Sequence, residues 1–369
     1  MSVPGQPVEA GGPAANSAHW SIQPLQGWHL PLLDDSAFLP LQSLLQRNLL
    51  LSLPERLLTA LVHRPPLAAD VLVALRILPS GRHQVLGLII CRRLNRSGTS
   101  WQVDHLRLAL GPLDDPAAPN RHAVAAALLR EAIQRARSAT SWIATASSLD
   151  STRLAVLREQ GFQPQRTDQF WSWQADRATS TSPSALPAQL QLRSLNRRSA
   201  SLLWHLEQAT CPAQLRQLLD RRIEDLLDQS GNRGWLLVDT SRNEAVAGVR
   251  WLADQPGGGQ RVEFTLHPAW LHLLGQAGEL LLRRYAAPGS TLWLVSDVAD
   301  TARHEWLQRL GAEPQGEQVL MARSVWRRHG PQPAERAVRR LEAVLEQFQP
   351  GRRPLPTPVG PLGSGPCQL

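Results

Sequence analysis

Two stretches of this chain are nearly the same: DSTRLAVLREQGFQPQ at 150–165 and DTARHEWLQRLGAEPQ at 300–315. Asp150/Asp300, Arg153/Arg303, Leu157/Leu307, Gly161/Gly311, Pro164/Pro314 and Gln165/Gln315 recur at a constant offset of 150 residues. Each copy of a unit with that period is long enough to bury a core. The 369-residue chain therefore reads as one fold encoded twice.

The other signals recur in the same order. Each half opens with a short extended piece, SIQPL or LQLRSL. Helical segments follow, with apolar faces Phe38, Leu41, Leu44, Leu45 in one and Leu202, Leu203, Leu206, Leu215, Leu218, Leu219 in the other. Next come a hairpin turning at Pro79-Ser80-Gly81 or near Asn243, then a third strand, SWQVDHLRLAL or QRVEFTL. A helix follows (RHAVAAALLREAIQRAR or GQAGELLLRRYAA), then a strand (SWIATAS or TLWLVSD), a helix that opens with the repeated words, and a closing strand (QFWSWQ or QVLMARSVW). Strand–helix–strand units need right-handed crossovers to parallel neighbours, so each half predicts an α/β fold built on a mixed sheet. The expected organisation is a disordered leader 1–18, domain 1 over 19–177, a linker 178–189, domain 2 over 190–329, a C-terminal helix 330–349 and a loose tail 350–369. In that last helix Val338, Leu341, Val344, Leu345 and Phe348 form an apolar stripe, suited to docking on the body or to binding a partner.

Composition narrows the chemistry. There is no Lys, so all 39 basic residues are Arg, set against 31 acidic ones for a net +8. Scattered Arg without a strong basic run argues against nucleic acid as the partner. Lys-dependent phosphate loops and Schiff bases are excluded. Cys91, Cys211 and Cys367 lie far apart without a C-x-x-C pair, which argues against zinc and disulfides and suits a cytoplasmic setting. No run of 18 apolar residues predicts a membrane span. The 13 Trp are spaced as sheet cores and faces.

The element order and the repeated words resemble the GNAT superfamily of acyl-CoA N-acyltransferases, from Trp20 to His329. The resemblance implies a β–α–α–β–β–β–α–β–α–β core, with acyl-CoA held where the fourth and fifth strands splay. It also implies a Q/R-x-x-G-x-G/A turn, whose backbone N–H groups at a helix N-terminus hold the pyrophosphate. In the first half that turn falls on Arg121, His122, Ala123, Val124, Ala125 and Ala126, with Val124 at a usual Gly and Asp114 and Asp115 in the loop before it. In the second half HPAW (His267–Trp270) matches the family's strand end. The turn Leu273, Leu274, Gly275, Gln276, Ala277, Gly278 keeps Gly278 but lacks the leading Arg or Gln. An ordinary strand–helix connection is the alternative for both.

The resemblance further implies a carboxylate base on the third or fourth strand and a Tyr that protonates the departing thiolate. Leu157 and Leu307 stand in the Tyr position, and the chain's single Tyr, Tyr285, lies mid-helix. Glu263 is the base candidate in the second half; strand alternation puts it on one face with Thr265 and His267, and an Arg-paired carboxylate is the other reading. Asp104 and His105, expected on opposite faces of their strand, are the first-half candidates. Asp150 and Asp300 serve as helix caps. The expected activity is acyl transfer, acetyl-CoA being the donor and an amine the acceptor, with the second half as the working copy. A scaffold that has lost the cofactor is the alternative.

Overall fold

The structure, a computed structural model, describes residues 20–50, 69–78, 80–110, 119–174, 186–255, 258–287 and 289–324. The expected leader, most of the linker, the Asp114–Asp115 loop, the C-terminal helix and the tail lie outside them. The first half contains β1 (Trp20–Pro24), α1 (residues 42–50), β2 (Asp70–Ile77), β3 (His83–Arg93), β4 (Ser100–Leu108), α2 (Arg121–Arg135), β5 (Ser141–Ser147), α3 (Ser151–Glu159) and β6 (Gln163–Gln174). The second contains β7 (Leu190–Ser194), α4 (Ala200–Thr210), α5 (Ala213–Leu219), α6 (Ile223–Ser230), β8 (Gly234–Asp239), β9 (Glu244–Asp254), β10 (Gln260–Leu266), α7 (Gln276–Tyr285), β11 (Thr291–Asp297), α8 (Thr301–Arg309) and β12 (Glu313–Ser324).

The repeated words are capping chemistry. Asp150 Oδ1 accepts from the Arg153 amide at 2.9 Å, and Asp300 Oδ1 from the Arg303 amide at 3.1 Å. Gly161 and Gly311 both have φ +82°, the left-handed conformation that ends a helix without a Cβ penalty. Around them the Phe162 and Ala312 amides donate back to the Leu157 and Leu307 carbonyls at 3.0 and 2.9 Å. Leu157 and Leu307 are core residues, each 1% exposed.

The closing strands depart from the sequence reading. They begin at Gln163 and Glu313, upstream of the apolar stretches, because the polar first residues of each strand pair with the later residues of the other, Gln163 with Ala322 and Glu313 with Ser172. They are also exchanged. The twelve-stranded sheet runs β1-β2-β3-β4-β5-β12-β6-β11-β10-β9-β8-β7, so β12 lies against β5 of the first half and β6 against β11 of the second. Gln318 pairs with Ser147 and Asp168 with Asp297, which are the same two positions once the offset of 150 is removed. Asp168 itself pairs with its own counterpart Gln318, so a local twofold passes between them. The halves are thus joined into one sheet rather than closed separately.

The cores follow the exchange. On one face of the sheet, α2 and α3 cover a cluster that includes Trp142, Leu157, Phe162 and Met321, the last contributed by β12. On the same face, α7 and α8 cover a cluster that takes in Trp171 and Trp173 from β6. On the other face, Phe38, Leu41 and Leu45 pack on β2 and β3, and α4 and α6 on β8 and β9. Leu44, expected to point inward, is 37% exposed.

A second bond between the halves is polar. The buried Asn95, in the β3–β4 turn, donates to the Asp220 carbonyl after α5 at 3.0 Å and accepts from the Thr99 and Ser100 amides. Arg96 forms a forked ion pair with Asp228 of α6, at 2.6 and 2.9 Å.

Residues 19–177 expressed alone leave β6 without β11 and β5 without β12. They are expected to aggregate or self-associate in light scattering; a stable folded monomer would contradict the exchange. Asn95→Ala strands buried amides and is expected to destabilise the protein by about 1–3 kcal/mol in chemical denaturation.

Candidate functional site

Both halves contain a fork between parallel strands. β4 and β5 pair only from Ser100↔Ser141 to Val103↔Ala144 and then part. β10 and β11 pair only at Gln260↔Leu292 and Arg261↔Trp293. Beyond each fork, at the carboxyl ends of the strands, the two backbones no longer pair, the place at which α/β proteins bind ligands.

The helices after the two third strands present different N-termini. At α2, Asn120 Oδ1 already accepts from the His122 amide at 2.9 Å, and His122 Nε2 lies 2.7 Å from a Glu159 carboxylate oxygen. Arg121 and Ala123 are exposed, whereas Val124, Ala125 and Ala126 are buried in the core. At α7, Gly275 is the cap residue and no side chain caps the helix. The first-turn amides of Gln276, Ala277 and Gly278 therefore have no partner within the helix. A Cβ on Gly275 would meet nothing within 4 Å, while one on Gly278 would press on the Leu273 carbonyl and the Trp306 ring, both at 3.0 Å. Gly278 thus serves packing, and Gly275 leaves the helix end open. An anion suits α7 better than α2, where Glu159 supplies negative charge nearby. Glu279 in the first turn of α7 is paired with Arg283 at 2.6 Å.

The two carboxylate candidates are structural counterparts. Gln102 pairs with Ile143 and Arg261 with Trp293, and Ile143 and Trp293 are equivalent at the offset of 150. Asp104 and Glu263 each lie two residues further on. Both are paired with an arginine of the preceding strand: Arg92 Nε lies 3.0 Å from Asp104, and Arg250 Nη2 contacts Glu263. Arg250, 1% exposed, also reaches Glu207 of α4 at 3.0 Å. Burial raises the Asp104 carboxyl's proton affinity, and the nearby Arg92 and Arg261 only partly offset it. Burial acts the same way on Glu263, but Arg250, Arg221 and Arg166 outweigh it and hold that carboxyl below its usual range. Glu263 stands deep among protein atoms, yet its side chain is 38% exposed, so it borders an opening. It is an Arg-paired carboxylate, the second of the two sequence readings.

Asp104 and His105 do not alternate. Ile90 pairs with His105 and the adjacent Cys91 with Val103, so Asp104 is the extra residue of a β-bulge. Val103 and Leu106 both enter the core behind it, leaving Asp104 and His105 together off that core. Burial, together with Arg107, Arg153 and Arg92, lowers the His105 imidazole to about 4. His267 caps the turn after β10, its Nδ1 accepting from the Ala269 amide at 3.2 Å. Tyr285 donates to Gln260 Oε1 at 3.1 Å, and burial pushes its hydroxyl up to about 12, far from any proton-donating role.

Sequence reasoning missed the arginines. Arg250 carried a signal, an Arg inside the apolar strand AVAGVRWL two turns of pattern before Glu263. Arg166 and Asp168 carried none, since only the exchange brings β6 beside β10's half. Arg261 is influenced at once by Arg92, Asp104, Asp168 and Glu263. Among the described residues no group of His, Cys, Asp and Glu is arranged to hold a metal, and no helix is long and apolar enough to cross a membrane.

No family model and no curated sequence matches the chain. The structure is similar to a GCN5-related N-acetyltransferase from Sphaerobacter thermophilus, with TM-score 0.50 and 12% identity over 83% of this chain and 95% of that one. It is also similar to a tandem GNAT protein from the clavulanic acid biosynthesis pathway, with TM-score 0.52 and 18% identity over 84% and 99%. The chain therefore has the GNAT fold. More particularly, it is a tandem GNAT fold with both copies in one mixed sheet.

The His105 shift predicts a pH dependence. The unfolded imidazole takes up a proton near 6.5, and the folded one refuses it until about 4. Stability is therefore full above pH 6.5 and falls as the pH drops from 6.5 toward 4. In His105→Gln that part of the decline should vanish from melting temperatures measured across this range.

Proposed function

We propose that the protein is an acyl-CoA-dependent N-acyltransferase, with acetyl-CoA the donor and an amine the acceptor. The observation that carries the reading is the second fork. β10 and β11 part after two residue pairs, beside a helix whose first-turn amides no side chain caps and over whose cap glycine there is open space. Acyl-CoA, when bound, supplies an activated thioester. The Gln276, Ala277 and Gly278 amides, reached over Gly275, hold its pyrophosphate. The first half's turn, Arg121 to Ala126, is the degenerate copy.

The two carboxylates divide the work by their environments. Glu263, kept ionised by its arginines, orients the acceptor's cationic amine. Asp104, whose proton affinity burial raises, accepts the proton that the amine sheds. The leaving thiolate departs without a tyrosine, since Leu157 and Leu307 are sealed in the cores. The proposed setting is the cytoplasm.

Titration calorimetry with acetyl-CoA is expected to give micromolar binding, which Gly275→Trp abolishes and Arg121→Ala leaves in place. No heat at millimolar acetyl-CoA would leave the rival reading, a scaffold that has lost the cofactor. Asp104→Asn should cut turnover by about 10²-fold while cofactor binding persists, and Glu263→Gln should act mainly on the acceptor's KM. Unchanged kinetics in both would remove these assignments.

A further inference from the structure

Among the described residues, the face where the two halves meet carries an arginine without an ion pair. Arg261, Glu263 and Thr265 alternate with Val262, Phe264 and Leu266, which are buried against α7 and α8, so the first three face the other side. On β6, Asp168 and Phe170 likewise alternate with Trp171 and Trp173 of that core. The Arg261 guanidinium lies over the Phe170 ring, 4.9 Å from its centroid. Around it every carboxylate is already paired: Asp104 with Arg92, Asp168 with Arg166 at 2.8 Å, and Glu263 with Arg250. Arg261 itself has no ion pair or hydrogen bond among the described residues, and its Nε is buried without a partner.

A guanidinium whose Nε is shut off from water without an acceptor is costly unless an anion meets it. Its planar fork matches a carboxylate or a phosphate. The surroundings choose between them. Arg92, Asp104, Asp168 and Glu263 all act on Arg261, and with the three acids each paired to an arginine the cluster carries one surplus cation, which a singly charged carboxylate matches and a dianion overshoots. Glu263, whose side chain is partly exposed, presents a carboxylate edge to an ammonium close by. We infer that Arg261 anchors the carboxylate of the acceptor, which is a zwitterionic amino acid or amino-acid derivative presenting its amine toward Glu263 and Asp104. This rests on the acyltransferase reading for the role of the bound amine, but the binding itself does not require turnover.

The test is calorimetry on the full chain without cofactor, with matched probes: alanine, glutamate, phenylalanine and β-alanine, each against its carboxamide. At least one acid is expected to bind tenfold or more tightly than its amide. Arg261→Gln should bring that ratio to about one, and Arg261→Lys to an intermediate value, both with acetyl-CoA affinity retained. Equal affinities within every pair of the wild-type protein, or no binding by any acid, overturns the anchor whether or not the variants fold. A separate acetyl-CoA titration of the wild type distinguishes that outcome from failure of the acyltransferase reading, which would show as absent cofactor binding.

Discussion

The antiparallel pairing of β6 with β12 about Asp168 and Gln318 is the contact on which the rest of the molecule depends. Because each closing strand also pairs with the other half, through β11 and β5, neither half completes its sheet alone. The exchange reaches into both cores. Met321 is buried among the first half's residues, and Trp171 and Trp173 among the second's. Truncating a buried side chain of that size typically costs about 3–5 kcal/mol, so a large part of each half's stability is supplied by the other.

The same pairing concentrates charge. It sets Arg166 and Asp168 between two arginine–carboxylate pairs that the duplication placed at equivalent positions, Arg92–Asp104 and Arg250–Glu263. Ions taken so far out of water persist only when matched in geometry and number. Arginine suits this role because its fork bridges two carboxylates, as Arg250 does between Glu207 and Glu263. A chain without lysine is well equipped for such a face. Among the described residues Arg261 adjoins these pairs without an ion pair of its own, and the ligand proposed above would supply one.

The two forks show how duplication lets copies diverge. Asn120 and Glu159 satisfy the start of α2, while Gly275 leaves the start of α7 open. Leu157 and Leu307 sit identically in their cores, so at this corner the two copies have not diverged. What separates the halves is how each helix start is capped, and the carboxylates at the forks differ through their arginines rather than their chemistry.

Local chemistry was legible in the residues. The Asp caps, the left-handed glycines and the strands SWIATAS and TLWLVSD depend on neighbours a few positions away, and so did the duplication itself, since equal words make equal corners. The carboxylates on the third strands could be picked out as well, because acids inside apolar strands are conspicuous. Whether such an acid is a free base or an ion-pair partner depends on what stands opposite it in space. Alternation failed at Asp104, where a bulge inserts a residue that no pattern in β4 announces. Above all, two similar halves can exchange equivalent strands at almost no local cost, because β12 fits against β5 in the same register that β6 adopts against β11. The sequence by itself determined one fold written twice; only the tertiary structure decided that the copies share strands, and that among the described residues their shared face holds an arginine without an ion pair.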